Sequence, residues 1–278
     1  MPASPDAVAA TGLIVVPARF GSKRLPGKPL IRIAGRTMLE RVVAVARAAA
    51  AAVGDCAVAV ATDDARIIDH AQALGCEAVM TDRGISSGSG RACAVAAARA
   101  PRPEIVVNLQ GDAPFIPPAL VAQLLTAARD TRADCVTPVV RLDWAALDAM
   151  RAHKQEAPFS GTTCVRAADG RALWFSKTIL PALRDEAGLR AGDASSPVYR
   201  HLGLYAYRLD ALERFEATPP TPYEQLEGLE QLRFLETGMT IQTIEAAPPR
   251  HAMSGIDTAA DVALAEALIA RWGDPFLA

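Results

Sequence analysis

The chain has 278 residues and a formal net charge of −2, without the basic excess with which a nucleic-acid binder neutralises phosphates. Hydrophobic residues make up 51%, charged residues 22% and aromatics only 5%, which is ample material for an aliphatic globular core. The longest apolar stretch, Val42 to Ala61, is interrupted by Arg47, Gly54 and Asp55, which argues against a membrane span. The first dozen residues lack the basic start and apolar run of a signal peptide, and residues 1–11 read as a flexible extension. The five cysteines (Cys56, Cys76, Cys93, Cys135 and Cys164) show no CxxC spacing and read as reduced thiols of a cytoplasmic protein.

In chain order, Leu13 to Val16 is a short β-branched run, a buried strand. A loop rich in Gly, Pro, Arg and Lys follows, from Ala18 to Pro29. Met38 to Val53 reads as a helix with Leu39, Val42, Val43 and Ala46 on one face. Ala57 to Ala61 is a strand, and Thr62 or Asp63 caps a helix over Ala65 to Leu74 that Gly75 stops. Glu77 to Met80 is a strand, Gly90 to Ala100 a helix, Ile105 to Leu109 a strand, Pro118 to Asp130 a helix and Cys135 to Val140 a strand. This alternation predicts an α/β fold with a mainly parallel sheet flanked by helices. Residues 150–200 read as loop-rich. His201 to Tyr207 then reads as a strand, Tyr223 to Thr237 as a helix, Thr240 to Ile244 as a strand and Thr258 to Trp272 as a helix with Thr258 and Asp261 as capping pair. The whole is expected to be one domain over 12–278, in two halves, 12–145 and 150–245.

In such sheets ligands bind at the strands' carboxyl ends, and the loops at 18–29 and 110–114 both lie there. The first holds four cations in ten residues, Arg19, Lys23, Arg24 and Lys28, with Gly21 and Gly27 to let backbone amides approach an anion. It is not a P-loop: five residues separate Gly21 from Gly27, and Pro29 stands where Ser or Thr is required. The pattern suits a triphosphate.

The run Pro17-Ala18-Arg19-Phe20-Gly21-Ser22-Lys23-Arg24-Leu25-Pro26-Gly27-Lys28-Pro29-Leu30 resembles the signature of the 3-deoxy-manno-octulosonate (KDO) cytidylyltransferases. Ala61 to Asp64, Asn108 to Asp112, His201 to Arg208, Leu229 to Arg233 and Gly255 to Thr258 resemble further blocks of that family in the same order. The resemblance implies a Rossmann-like, GT-A-like nucleotidyltransferase fold with a smaller sugar-binding and dimerisation insertion, 12–145 being the nucleotide-binding half and 150–245 the sugar-binding and dimer-contacting half. It implies transfer of a cytidylyl group from CTP to KDO or a related acidic sugar, with Mg²⁺, in a homodimer. It assigns the nucleotide to Pro17, Ala18, Arg19, Arg24, Lys28, Ser87, Gly88, Arg91 and Gln110. It assigns the sugar to His201, Tyr205, Glu230 and Gln231, the metal to Asp112 and Asp257, and the chemistry to Arg19, Lys28 and Asp112. On the residues alone, Tyr205 lies four positions beyond His201, on the same face of one strand.

Three places depart from the family pattern. In the motif H-x-S-G-T-[ED]-R the histidine is Ile85 and the acid is Gly90. In Q-G-D-E-P the second acid is Ala113. The stretch N-P-N-x-V-K corresponds poorly to Ala157 to Thr163. These departures leave open a sugar nucleotidyltransferase with another nucleotide or acceptor, and a non-catalytic nucleotide-binding paralogue.

Overall fold

The computed structural model describes residues 11–21, 24–248, 253 and 255–276. The expected extension lies outside the described residues except for Thr11, whose amide and hydroxyl bind the Asp55 carboxylate at 3.1 and 2.7 Å. Ser22 and Lys23 also lie outside them.

The elements in order are β1 (Gly12–Pro17), a 3-10 turn (Lys28–Leu30), β2 (Arg32–Ile33), β3 (Arg36–Thr37), α1 (Met38–Val53), β4 (Cys56–Thr62), α2 (Ala65–Ala73), β5 (Glu77–Met80), α3 (Gly88–Ala97), β6 (Ile105–Asn108), α4 (Pro118–Asp130), β7 (Cys135–Asp143) and α5 (Trp144–Glu156). There follow β8 (Thr163–Arg166), β9 (Ala172–Ser176), α6 (Glu186–Gly192), β10 (Ser195–His201), β11 (Tyr205–Arg208), α7 (Leu209–Ala217), α8 (Pro222–Glu227), α9 (Gln231–Glu236), β12 (Ile241–Glu245) and α10 (Ala259–Trp272).

One sheet runs in the order β5-β4-β1-β6-β11-β7-β10-β8-β9, with β12 also on β7. The strands β5, β4, β1 and β6 pair in parallel. Antiparallel strands extend the sheet beyond β6, and β12 rejoins β7 in parallel. Alternate β1 residues supply opposite faces. Ile14 and Val16 pack with Leu39, Val42 and Leu124 of α1 and α4, whereas Leu13 and Val15 pack with Val95 of α3 and Leu212 and Phe215 of α7. This period-2 alternation on a strand buried on both sides is the reason β1 is apolar throughout. It is the expected α/β sheet flanked by helices, with the parallel part carrying the 18–29 and 110–114 loops.

Several boundaries differ from the sequence reading. The third helix starts two residues early because the Ser87 hydroxyl accepts from the Gly90 amide at 2.9 Å. Asp64, rather than Thr62 or Asp63, caps α2 through the Arg66 amide. The region 150–200 is not loop-rich: it holds the end of α5, β8, β9, α6 and most of β10, whose short strands lack strong periodicity. The helix read over Tyr223 to Thr237 breaks into α8 and α9 where Gly228 adopts φ +63°. The strand read over His201 to Tyr207 is interrupted. Both flanking pieces run antiparallel to β7, but His201 faces Val139 while Ala206 faces Val136, so five steps on one side answer three on the other. The surplus is taken up at Leu202 to Leu204, where the Leu204 amide donates to the Leu202 carbonyl at 2.7 Å.

Candidate active site

The end of β1 and the end of β6 meet at one cleft. A Cβ on Gly111 would lie 2.3 Å from the Pro17 carbonyl oxygen, so only glycine lets the Gln110-Gly111-Asp112 turn pass beneath the Pro17-Ala18-Arg19 segment. The Ala18 amide is fixed to the Ala61 carbonyl at 2.8 Å, and the Leu109 amide to the Val15 carbonyl at 3.0 Å. From the far end of the chain, the Ile256 amide donates to the Asp112 carbonyl at 2.9 Å and seats Asp257 beside Asp112. A capping box of Thr258 and Asp261 begins α10 there, as expected from the sequence.

The resulting cavity, about 460 Å³, is lined by Pro17, Ala18, Arg19, Arg24, Lys28, Ser87, Gly88, Arg91, Gln110, Asp112 and Asp257, together with Gly21, Pro29 and Gly111. The structure thus brings together every residue the sequence assigned to nucleotide or metal. Lys28 Nζ donates to Asp112 Oδ2 at 2.7 Å and to Asp257 Oδ1 at 2.8 Å, and Arg24 reaches Asp257 Oδ2 at 2.9 Å. Arg19 is exposed at the rim. Arg91 sits differently from an open phosphate clamp. Its guanidinium is buried and held by Asp63 Oδ2 at 2.7 Å and by the Thr81 hydroxyl, while its Nε has no hydrogen-bond partner. Asn108 Oδ1, beside Gly88, is also buried without one. Both atoms are left for water or a ligand to satisfy.

Two carboxylates that converge on one ammonium fit a magnesium ion, which takes one or two protein carboxylates and fills its shell with phosphate oxygens and water. Among the described residues no group of three His, Cys, Asp or Glu gathers as an all-protein metal cage.

The sugar-assigned residues do not line this cavity; His201 and Tyr205 lie together, and Glu230 reaches the first turn of α3. His201 is 8% exposed, and burial, with Lys177 nearby, pushes its pKa down to about 3, so the ring is neutral. Thr137 Oγ1 lies 2.9 Å from His201 Nε2 and 2.8 Å from the Leu204 carbonyl. A hydroxyl has one proton. Given to the carbonyl, it leaves Thr137 accepting from Nε2–H, and Nδ1 carries the ring's lone pair. Tyr205 lies with its ring centroid 5.4 Å from that of His201. The neighbourhood expected of the two is observed, although the interruption at Leu202 to Leu204, not a regular strand, creates it. Glu230 accepts from the Ser89 hydroxyl at 3.0 Å, and Gln231 Nε2 is buried without a partner.

Sequence reasoning missed Asp63, Thr137, Lys154, Lys177 and Glu227. Lys154 Nζ donates to the carbonyls of Pro158, Ser160, Gly161 and Lys177, so it ties down the 157–161 loop. Glu227 accepts from the Lys177 amide at 2.7 Å and the Ser176 hydroxyl at 2.8 Å. Burial holds the Lys177 ammonium below its usual pKa. Asp63 lies in the Ala61 to Asp64 block but its partner Arg91 is 28 residues away; Thr137, Lys177 and Glu227 make contacts across 50 residues or more, which no local motif announces.

A cationic loop facing two acids at the carboxyl edge of a parallel sheet defines a nucleotidyltransferase. The chain matches the cytidylyltransferase family over residues 13–241. It is 41% identical over 263 residues to a 3-deoxy-manno-octulosonate cytidylyltransferase of Maricaulis maris, covering 94% of this chain and 98% of the relative. It is 40% identical to one of Chelativorans sp., covering 93% and 97%. Its fold superposes with TM-score 0.79 and 35% identity on a CMP:2-keto-3-deoxy-manno-octonic acid synthetase complexed with CTP, covering 94% of this chain and 98% of that one. The chain belongs to the 3-deoxy-manno-octulosonate cytidylyltransferase family.

Proposed function

We propose that the protein transfers the cytidylyl group of CTP to the anomeric hydroxyl of KDO, giving the CMP-sugar and pyrophosphate. The observation that carries this is the convergence of Arg19, Arg24 and Lys28 with Asp112 and Asp257 on one cavity; Glu230, bonded to Ser89 one residue beyond the cavity-lining Gly88, and Tyr205, paired with Asn108, support an acceptor site on the α3 side. In this reading the anomeric hydroxyl attacks the α-phosphorus in line and pyrophosphate leaves. Such transfers depend on positioning and charge neutralisation rather than on covalent help. Magnesium, when bound, neutralises phosphate charge and makes the attacking hydroxyl more acidic. Asp112 and Asp257 hold that ion, and Arg19, Arg24 and Lys28 take the charge that develops on the leaving pyrophosphate. Lys177 supplies the cation that a sugar acid requires, Glu230 accepts from its hydroxyls, and Gln231 Nε2 donates to it.

The cleft lacks the acids that the related motifs carry at Gly90 and Ala113, so a related acidic sugar is the second acceptor to test. The reading includes a homodimer: Leu173, Tyr223 and Leu226 are exposed apolar residues of β9 and α8, and Trp174 meets Tyr223 edge-on at 5.2 Å. No helix among the described residues is long and apolar enough to cross a membrane, and the reading places the enzyme in the cytoplasm.

The deciding experiment is pyrophosphate release with magnesium, CTP and KDO, beside other nucleoside triphosphates and acidic sugars. Turnover strongest with CTP and KDO is expected. Turnover with CTP and only another acidic sugar moves the acceptor, and silence across the panel removes the enzymatic reading.

A further inference from the structure

Ser89 stands in the first turn of α3, 1% exposed, with its hydroxyl on Glu230. A second carboxylate reaches the same turn from α7. A Cβ on Gly90 would lie 3.0 Å from Glu216 Oε2, 2.9 Å from Ile85 Cγ2 and 2.9 Å from Ser87 Oγ. The Glu216 carboxylate, Ile85 and Ser87 therefore occupy the space that a side chain at position 90 would need. The departures at 85 and 90 are one packing arrangement, in which the acid at this turn comes from another helix.

The first turn of α3 has no acidic residue of its own, and a carboxylate docked there complements the positive end of the helix. The Ser89 hydroxyl holds down the Glu216 pKa, but burial first, and then the charges of Glu230 and Glu224, outweigh it and the opposing Arg233 and leave the group above its usual range. Two carboxylates thus compete for one hydroxyl proton. The structure gives it to Glu230 Oε2, at 3.0 Å, and the two acids repel each other across this turn.

We propose that Glu216 is a positioning residue for the acceptor: acting across Ser89, it sets the direction in which Glu230 presents its free oxygen to the hydroxyls of the sugar. The proposal rests on the reading of Glu230 as an acceptor contact. Glu216 touches neither substrate and acts through Glu230 alone.

The test is steady-state kinetics of the full chain with CTP and KDO for Glu216→Gln, Glu230→Gln and the double variant, beside their melting temperatures. Glu216→Gln keeps the packing and removes the charge. It is expected to raise the KM for KDO about tenfold while leaving the KM for CTP and the melting temperature in place. The double variant is expected to be no worse than Glu230→Gln, because a residue acting through another adds nothing once that one is gone. An unchanged KDO KM in Glu216→Gln, equal rises in both KM values with a lower melting temperature, or additive losses in the double variant each overturn the proposal. Glu230→Gln separates the two readings. If it leaves the KDO KM unchanged, the assignment of Glu230 fails and this proposal with it. If it raises the KM and Glu216→Gln does not, this proposal alone fails.

Discussion

Asp63 is the counter-charge of Arg91: its Oδ2 accepts from Nη2 at 2.7 Å, and the guanidinium is 1% exposed. The cleft's most buried cation is thereby fixed before any nucleotide arrives. Replacing Asp63 by Asn strands a buried charge, which costs about 3 kcal/mol when one partner of a buried pair is removed. Urea unfolding of Asp63→Asn is expected to show that loss, and an unchanged midpoint would mean that Arg91 finds another partner.

The close pass of Gly111 beneath Pro17 gives a second outcome. No rotamer relieves a main-chain clash, so Gly111→Ala has to separate the two loops. A stability loss of about 2 kcal/mol is expected from forced overpacking, together with a raised KM for CTP. Kinetics and a denaturant series on the same preparation measure both, and a wild-type KM would show that the two loops need not touch for CTP to bind.

For the chemistry itself, Asp112→Asn is expected to cut turnover by about a hundredfold or more, by analogy with the loss of a transition-state contact, with the fold intact by circular dichroism. Lys28→Met is expected to cost a similar factor. Because Lys28 bonds directly to Asp112, the double variant should lose less than the product of the single losses. Strict additivity would separate the two residues mechanistically.

Much of the nucleotide side was legible because it is local. The cationic loop, the Gln110-Gly111-Asp112 turn and the Gly255-Ile256-Asp257-Thr258 turn each read as a short motif at a strand end, and the parallel topology then gathers them. The acceptor side was only partly legible. His201 and Tyr205 stood out, but the two surplus residues that bring their rings together have no signature, since a backbone irregularity depends on the partner strand β7. Lys177 and Glu227 meet through a main-chain amide, a contact that no side-chain pattern predicts. Gly228 broke the helix read over 223–237 because a helix-compatible sequence around a lone glycine does not reveal a left-handed turn.

His201 also yields a pH dependence. Its folded pKa, about 3, lies below the ordinary histidine value of 6.5, so the unfolded chain binds the proton more readily. Stability from this group is complete above pH 6.5 and falls as the pH drops from there toward 3, by about 1.4 kcal/mol per pH unit within the window. His201→Gln is expected to flatten that part of the curve in denaturant unfolding followed from pH 7 to pH 4. An identical slope in the variant would assign acid sensitivity to other groups.

On the acceptor side, Lys177→Met is expected to raise the KM for an acidic sugar about tenfold or more with little effect on CTP, since one charge-assisted contact is lost. The same change should raise the pKa of His201, because a nearby positive charge disappears, and NMR titration of the ring follows it. A KM for CTP that rises in parallel would relocate Lys177 to the nucleotide.

The proton that Thr137 gives to the Leu204 carbonyl has a consequence for ligand choice. The interruption of the strand supplies that carbonyl, and through Thr137 it dictates that the neutral ring of His201 offers a lone pair and no second donor. Any group that meets this nitrogen must bring its own proton. An alcohol does so, whereas an ether or a keto oxygen at the same place faces lone pair against lone pair. Under the proposed reading of His201 as an acceptor contact, the irregularity in the main chain acts as a chemical filter, sorting hydroxylated ligands from their oxidised or alkylated counterparts.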